Sequence, residues 1–220
     1  MADIRTTPEL TLFPQANENP LSGGGDWAQV DSVDYPLQLQ CVNHQAQGDD
    51  VFFRDVFSSR WTPLSLTGDI QVWGLATANI DVNQSYSLRL FANTGGAGGV
   101  LDGYIVNFTA GSPVHGALLF RMDNGTATQI DVAGSSQFIA ADTLFLLQTV
   151  GTHVQTYYSH DAGQNWTLLN DVVDNTYRSN LALVLVTINS TSFPHWGQFG
   201  GGLAGSLNRH VQLPFMGVGP

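Results

Sequence analysis

The chain has 220 residues, 43% of them apolar and 11% charged, with 24 glycines; it is too hydrophobic for a disordered protein and too rich in turn formers for a helical one. Its 18 acidic and 7 basic residues give a formal net charge of -11, which repels a phosphate backbone and excludes nucleic acid as a partner. The single Cys41 rules out an internal disulfide framework and a cysteine-held zinc, and no apolar run approaches the roughly 18 residues that a membrane span needs.

All-β sandwiches of this length commonly form a single domain. Residues 1–9 read as a short polar N-terminal arm, and MADIRTTPEL carries neither a basic n-region nor an apolar h-region, so synthesis in the cytoplasm without Sec export is expected. Beyond it, apolar residues alternate or bunch in short runs bounded by Gly, Asn, Asp, Ser or Pro, which is the strand-and-turn pattern. LQLQCV (37–42), DIQVWGLAT (69–77), YSLRLFA (86–92) and GYIVNFTA (103–110) each predict a strand with one buried face. HGALLFRMD (115–123), ATQIDVA (127–133), TLFLLQTVG (143–151), THVQTYYS (152–159), WTLLND (166–171) and LALVLVTI (181–188) continue the series. Turns are expected at DNGT (123–126), Gly151 and DAGQ (161–164). The wholly apolar LFLL and LALVLV predict strands covered on both faces or central in one of two packed sheets.

About a dozen short strands define the fold class as all-β, an antiparallel two-sheet jelly-roll sandwich over 10–202. The remaining 203–220 read as an apolar C-terminal tail that either folds back on the sandwich or docks on another subunit.

Particular residues carry a resemblance. LFPQANENPLSGGGDWAQVD (12–31), with Asn19, Pro20, Leu21, Gly23 to Gly25 and Trp27, resembles the start motif of concanavalin A-like (laminin G-like) jelly rolls in tail proteins of phages that infect actinobacteria. Trp61 with LTGDIQVWGLAT (66–77), the strand YIVNF, the hairpin THVQTYYSHDAGQNWTLL and DNTYRSNLALVLV resemble later parts of the same domains. The resemblance implies a virion protein that assembles with other phage proteins as a homo-oligomer, with host-surface glycan as a further contact. Retaining glucanases of the wider superfamily carry E-x-D-x-E on one strand, because a double displacement needs two carboxylates close together on one face. This chain has only Glu9 and Glu18, both ahead of the predicted strands, so no enzymatic activity is expected.

The hairpin segment Ser159-x-Asp161-x-Gly163-x-x-Trp166 resembles a sialidase box, but 220 residues cannot supply six propeller blades of about 40–50 residues each. Asp161, Gly163 and Trp166 are therefore read as turn structure: a carboxylate accepting N–H bonds, a glycine at positive φ and a covering indole. The candidate glycan- or partner-binding residues are Phe193, His195, Trp196 and Phe199, crowded in the Pro- and Gly-bearing stretch STSFPHWGQFGGG (190–202), together with Arg60 and Trp61. Burial of these rings is the competing reading. No histidines stand at a ligand-pair spacing, so no cofactor is predicted; calcium held by Asp, Asn and backbone oxygens stays open. The leading expectation is a non-enzymatic minor tail or tail-tip protein located in the virion, without nucleic-acid or membrane partners. A stand-alone carbohydrate-binding module and a capsid decoration protein are the alternatives.

Overall fold

The computed structural model describes residues 9–11, 13, 17, 20–21, 26–28, 30, 38–48, 56–61, 66–77, 85–94, 101–109, 116–134, 141–188 and 195–204. Arm residues 1–8, Asn19, Gly23 to Gly25, Phe193 and the tail from 205 onward lie outside the described residues.

All regular elements among the described residues are strands: β1 (Glu9–Thr11), β2 (Trp27–Ala28), β3 (Gln40–Val42), β4 (Gln45–Gln47), β5 (Val56–Trp61), β6 (Ile70–Ala76), β7 (Ser85–Thr94), β8 (Leu101–Thr109), β9 (Gly116–Asp123), β10 (Thr126–Gly134), β11 (Thr143–Val150), β12 (His153–Ser159), β13 (Thr167–Val173), β14 (Ala182–Ile188) and β15 (Trp196–Leu203). They form two antiparallel sheets. One runs β13-β12-β11-β6-β15-β4-β3, with β1 also paired to β15; the other runs β10-β9-β8-β7-β14-β5-β2. The fold is an all-β, two-sheet jelly-roll sandwich.

Alternation decides which side chains meet between the sheets. Tyr86, Leu88 and Leu90 of β7, Tyr104, Val106 and Phe108 of β8, and Leu183 and Leu185 of β14 face Ile70 and Val72 of β6 and Phe145 and Leu147 of β11 in one continuous core. Cys41 is a fully buried member of it. The two wholly apolar runs are covered on both faces: Leu144 and Leu146 join an outer cluster with Trp73, Tyr157 and Trp166, while Val184 and Val186 join another with Val30, Phe91, Ile105 and Met122.

Five strands escape the alternation signal: the short β1, β2 and β4, and the longer β5 and β15. β5 (VFSSRW) buries serines, and β15 (WGQFGGGL) is rich in glycine, a poor strand former. The stretch expected as a loop is thus, from Trp196 on, a strand between β6 and β4, with β1 further along the same edge. Its glycines let strands and rings approach. A Cβ at Gly74 of β6 would stand 2.5 Å from the Trp196 ring, and one at Gly200 of β15 would overlap the Trp73 ring. Each strand therefore lays a tryptophan over the other's glycine, Trp196 on the core side and Trp73 on the outer side.

Candidate functional site

The structure brings two of the sequence candidates, Trp61 and Phe199, together, but inside the sandwich. Trp61 and Phe199 have ring centroids 6.2 Å apart, and Trp27 contacts both, at 5.2 Å and 4.9 Å, with Phe13 stacked on Trp27 at 5.8 Å. Trp196 packs edge-on to Tyr86 at 4.6 Å, and its Nε1 donates to Val186 O on the opposite sheet at 3.0 Å. Trp196 and Phe199 have no exposed surface and Trp61 retains 7%. A ring covered on both faces has none to lay against a sugar.

The remaining described candidates are Arg60 and His195, both partly exposed. The His195 backbone is fixed: its N–H donates to the Tyr86 hydroxyl at 2.9 Å, and its C=O accepts from Thr77 N–H at 2.9 Å. Arg60 lies on the outer side of β5, level with Val184 of β14 and, one strand further, Arg89 of β7.

The hairpin between β12 and β13 is held by its polar residues. Asp161 Oδ1 accepts from Ser159 Oγ at 2.7 Å and from Asn165 N–H at 2.8 Å, and Asp161 Oδ2 accepts from Asn165 Nδ2 at 2.5 Å. Ser159 Oγ in turn accepts from Gly163 N–H at 3.0 Å. Gly163 has φ 83°, and the Trp166 ring lies against it and Leu144. Donation from the Asn165 side chain and backbone, then from Ser159, holds the Asp161 carboxyl down at about 2.

A second polar cluster joins the segment after β13 to β8 and β9. Asp174 accepts from Tyr104 OH at 2.7 Å and from Arg121 Nη1 at 2.8 Å; Arg121 Nε also donates to Asp123 at 2.7 Å, and Tyr177 OH donates to Asp123 at 2.7 Å. Burial is the largest influence on Asp174 and pushes its carboxyl up, but donation from Thr176, Tyr104 and Arg121 outweighs it and leaves it at about 2. Hydrogen bonding from Arg121 holds Asp123 low as well. Burial and then the Asp174 hydrogen bond raise the Tyr104 hydroxyl above its ordinary range. Carboxylates held this low are ionised at neutral pH and donate no proton, so these two do not form the acid half of a glycosidase pair. Among the described residues no group of three or more His, Cys, Asp or Glu side chains is arranged to hold a metal ion.

The arrangement suited to hydroxyl-rich ligands lies on the outer face of β6, β11, β12 and β13. Gln71, Gln148, Gln155 and Asp171 occupy one cross-strand row. Trp73, Leu146, Tyr157 and Leu168 occupy the next. Gln148 Nε2 donates to Gln155 Oε1 at 3.0 Å, and Tyr157 OH donates to the same oxygen at 3.0 Å. Burial and then the Asp171 charge raise the Tyr157 hydroxyl, against the donating Gln148 amide. Exposure grows along the row, from buried Gln71 and Gln148 through half-buried Gln155 to exposed Asp171, whose Oδ1 lies 2.6 Å from His153 Nδ1. The accessible end thus presents amide, carboxylate and imidazole groups beside the exposed Leu168. Alternation in THVQTYYS marked this strand, but nothing in the sequence set its outward residues apart from any other polar edge.

No family model and no curated relative matches the sequence. Solved structures do match. The exoplasmic/lumenal domain of VIP36 in its Ca2+/Man-bound form superposes with TM-score 0.62 at 9% identity, over 88% of this chain and 90% of that one. The carbohydrate recognition domain of Emp46p, in a metal-free form, gives TM-score 0.60 at 7% identity, over 91% and 98%. The carbohydrate-binding module CBM66 from Bacillus subtilis gives 0.53 at 14% identity, over 77% and 95%. The chain therefore shares the two-sheet jelly-roll fold of these domains.

Proposed function

We propose that this chain is a non-enzymatic carbohydrate-binding domain, and that its contact surface is the β12–β13 end of the amide and aromatic rows, with Gln155, His153 and Asp171 bonding sugar hydroxyls. The observation that carries the reading is the shared fold with carbohydrate-recognition domains along 77% to 91% of the chain. The lack of E-x-D-x-E supports binding without turnover. The resemblance of the Asn19-to-Trp27 segment to phage tail modules supports a setting in a tailed-phage virion, where the glycan is one of the host surface.

A glycan array followed by titration calorimetry tests the binding reading. Micromolar affinity for at least one glycan is expected, with Gln155→Ala weakening it about tenfold, the loss of roughly one to two hydrogen bonds, alongside the modest fall in melting temperature that losing its bonds to Gln148 and Tyr157 brings. Failure of the purified protein to bind any bacterial-surface or mannose-type glycan at millimolar concentration overturns it. The virion setting is tested separately, by searching purified virions for peptides of this chain.

A further inference from the structure

We propose that Asn124–Gly125 is the site at which this chain deamidates, and that the Asp102 carboxylate slows the reaction by holding the turn shut. The pair is the only Asn followed by Gly in the sequence and forms the two-residue turn between β9 and β10, with Asn124 exposed. The reaction needs only water. The Gly125 nitrogen attacks Asn124 Cγ and gives up its proton; the Cγ–Nδ2 bond breaks, ammonia carries that proton away, and a succinimide ring is left. Water then adds at one of the two ring carbonyls, giving aspartate or isoaspartate at position 124. A glycine nitrogen has no side chain beside it, so the sequence alone marks this bond as the labile one.

The folded turn opposes each requirement. Asn124 and Gly125 have φ 52° and 76°, the pattern of a type I′ turn, whose first central residue has ψ of about +30°. At that ψ the Gly125 nitrogen stands nearly anti to the Asn124 Cβ about the Cα–C bond, so the ring closes only after the turn unwinds. Unwinding is resisted at both peptide groups. Gly125 N–H donates to Leu101 O at 2.9 Å, which also keeps the proton of the attacking nitrogen engaged, and Asn124 N–H donates to Asp102 Oδ1 at 2.6 Å. Both acceptors stand at the start of β8, whose ladder with β9 begins at Gly103 and Met122, so the turn is tied to a neighbouring strand rather than to its own hairpin. Leu101 offers a backbone oxygen that no substitution removes. The Asp102 carboxylate is the tie that can be cut.

Either product loosens the turn that made it slow to form. Aspartate adds a negative charge beside Asp102 and Asp123, two carboxylates that already share the Tyr177 hydroxyl at 3.3 Å and 2.7 Å. Isoaspartate adds one carbon to the main chain of a two-residue turn that matches Asp123 to Thr126, and so shifts β10 against β9 from their first pair onward.

Peptide mapping by mass spectrometry, following the amide-to-acid mass change at position 124 in mildly alkaline buffer, tests this on the full chain and without any glycan. The chain in denaturant should convert at least about tenfold faster than the folded chain, the ratio that one to two retained hydrogen bonds give. Asp102→Ala should speed conversion of the folded chain about tenfold, the worth of one charge-assisted hydrogen bond. Tyr177→Phe is the control for general loosening: it removes the hydroxyl from Asp102 and Asp123 but leaves the Asp102 bond to Asn124 N–H in place, and should leave the rate near that of the wild type. A folded wild-type chain that converts as fast as the denatured one, or Asp102→Ala converting no faster than Tyr177→Phe, overturns the proposal. Should Asp102→Ala fail to fold, hydrogen exchange on the wild type decides: Asn124 and Gly125 amides that exchange at the rate of an open chain overturn it, and protected ones support it.

Discussion

In β15, Trp196 lies over Gly74 of the neighbouring strand; in the β12–β13 hairpin, Trp166 lies against Gly163 of its own turn. The two pairs share composition and differ in what the glycine is for. At Gly74 the backbone is ordinary and the space is missing, since a Cβ would stand 2.5 Å from the indole. At Gly163 the nearest ring atom would be 3.4 Å from a Cβ, an ordinary contact, but φ is 83°. One glycine is dictated by volume and the other by torsion. Consequently one tryptophan is locked in the core, while the other covers a turn on the outer face.

The largest expected effect falls on the core pair. Trp196→Ala removes a fully buried indole and its hydrogen bond to Val186 O, and should cost about 3–5 kcal/mol in denaturant unfolding. Gly74→Ala should cost about 1–3 kcal/mol through overlap, and shortening the ring in a Gly74→Ala, Trp196→Leu double variant should recover part of that loss. Gly163→Ala should cost about 1–2 kcal/mol by backbone strain alone. Asparagine separates the two causes: Gly163→Asn should be milder than Gly163→Ala because Asn tolerates this φ, whereas Gly74→Asn should be worse than Gly74→Ala. The same order of severity at both positions would dissolve the distinction.

Acid sharpens the contrast between apolar and polar structure. Asp174 and Asp161 are both held at about 2, below the ordinary 3.8. A carboxyl depressed in the folded state contributes stability that is complete above its unfolded value and lost as pH falls through its folded value. Stability should therefore decline between about pH 4 and pH 2. Tyr104→Phe, which removes one donor to Asp174, should cost about 1.5 kcal/mol at pH 7 and reduce that acid-sensitive part. At the other extreme, the raised Tyr104 and Tyr177 hydroxyls contribute stability that is full below the ordinary 10.0 and lost as pH rises beyond it. Trp196→Ala should lower the whole pH profile without changing its shape.

Much of the sandwich was legible because its middle strands are long, β-branched or aromatic, and bounded by turn residues. The apolar runs LFLL and LALVLV pointed to strands covered on both faces or central in a sheet, and both strands are covered on both faces. β15 was not legible, because glycine removes the pattern that marks a strand, and a glycine that makes room for a ring on another strand looks the same as one in a loop. The aromatic residues near it were visible, yet their burial depends on Gly74, more than a hundred positions away in the sequence. The polar rows raise the same difficulty: Gln71, Gln148 and Gln155 become neighbours only through the pairing of β6, β11 and β12.

The smallest expected effect belongs to Asp161. Its carboxylate organises Ser159, Asn165 and the turn backbone, but it lies at the surface, where water replaces most of what a lost hydrogen bond gave. Asp161→Ala should lower the melting temperature only slightly, less than Gly163→Ala, and should remove part of the acid dependence between about pH 4 and pH 2. Glycan affinity should not change, since the proposed contact residues Gln155, His153 and Asp171 stand in strand registers set by β11–β12–β13 pairing rather than by this turn. Gln155→Ala should lower affinity about tenfold, together with the modest loss of melting temperature that leaving Gln148 Nε2 and the Tyr157 hydroxyl without this acceptor brings. Calorimetry on both variants against one glycan checks the pair. Lost affinity in Asp161→Ala at unchanged stability would move the binding surface onto the hairpin.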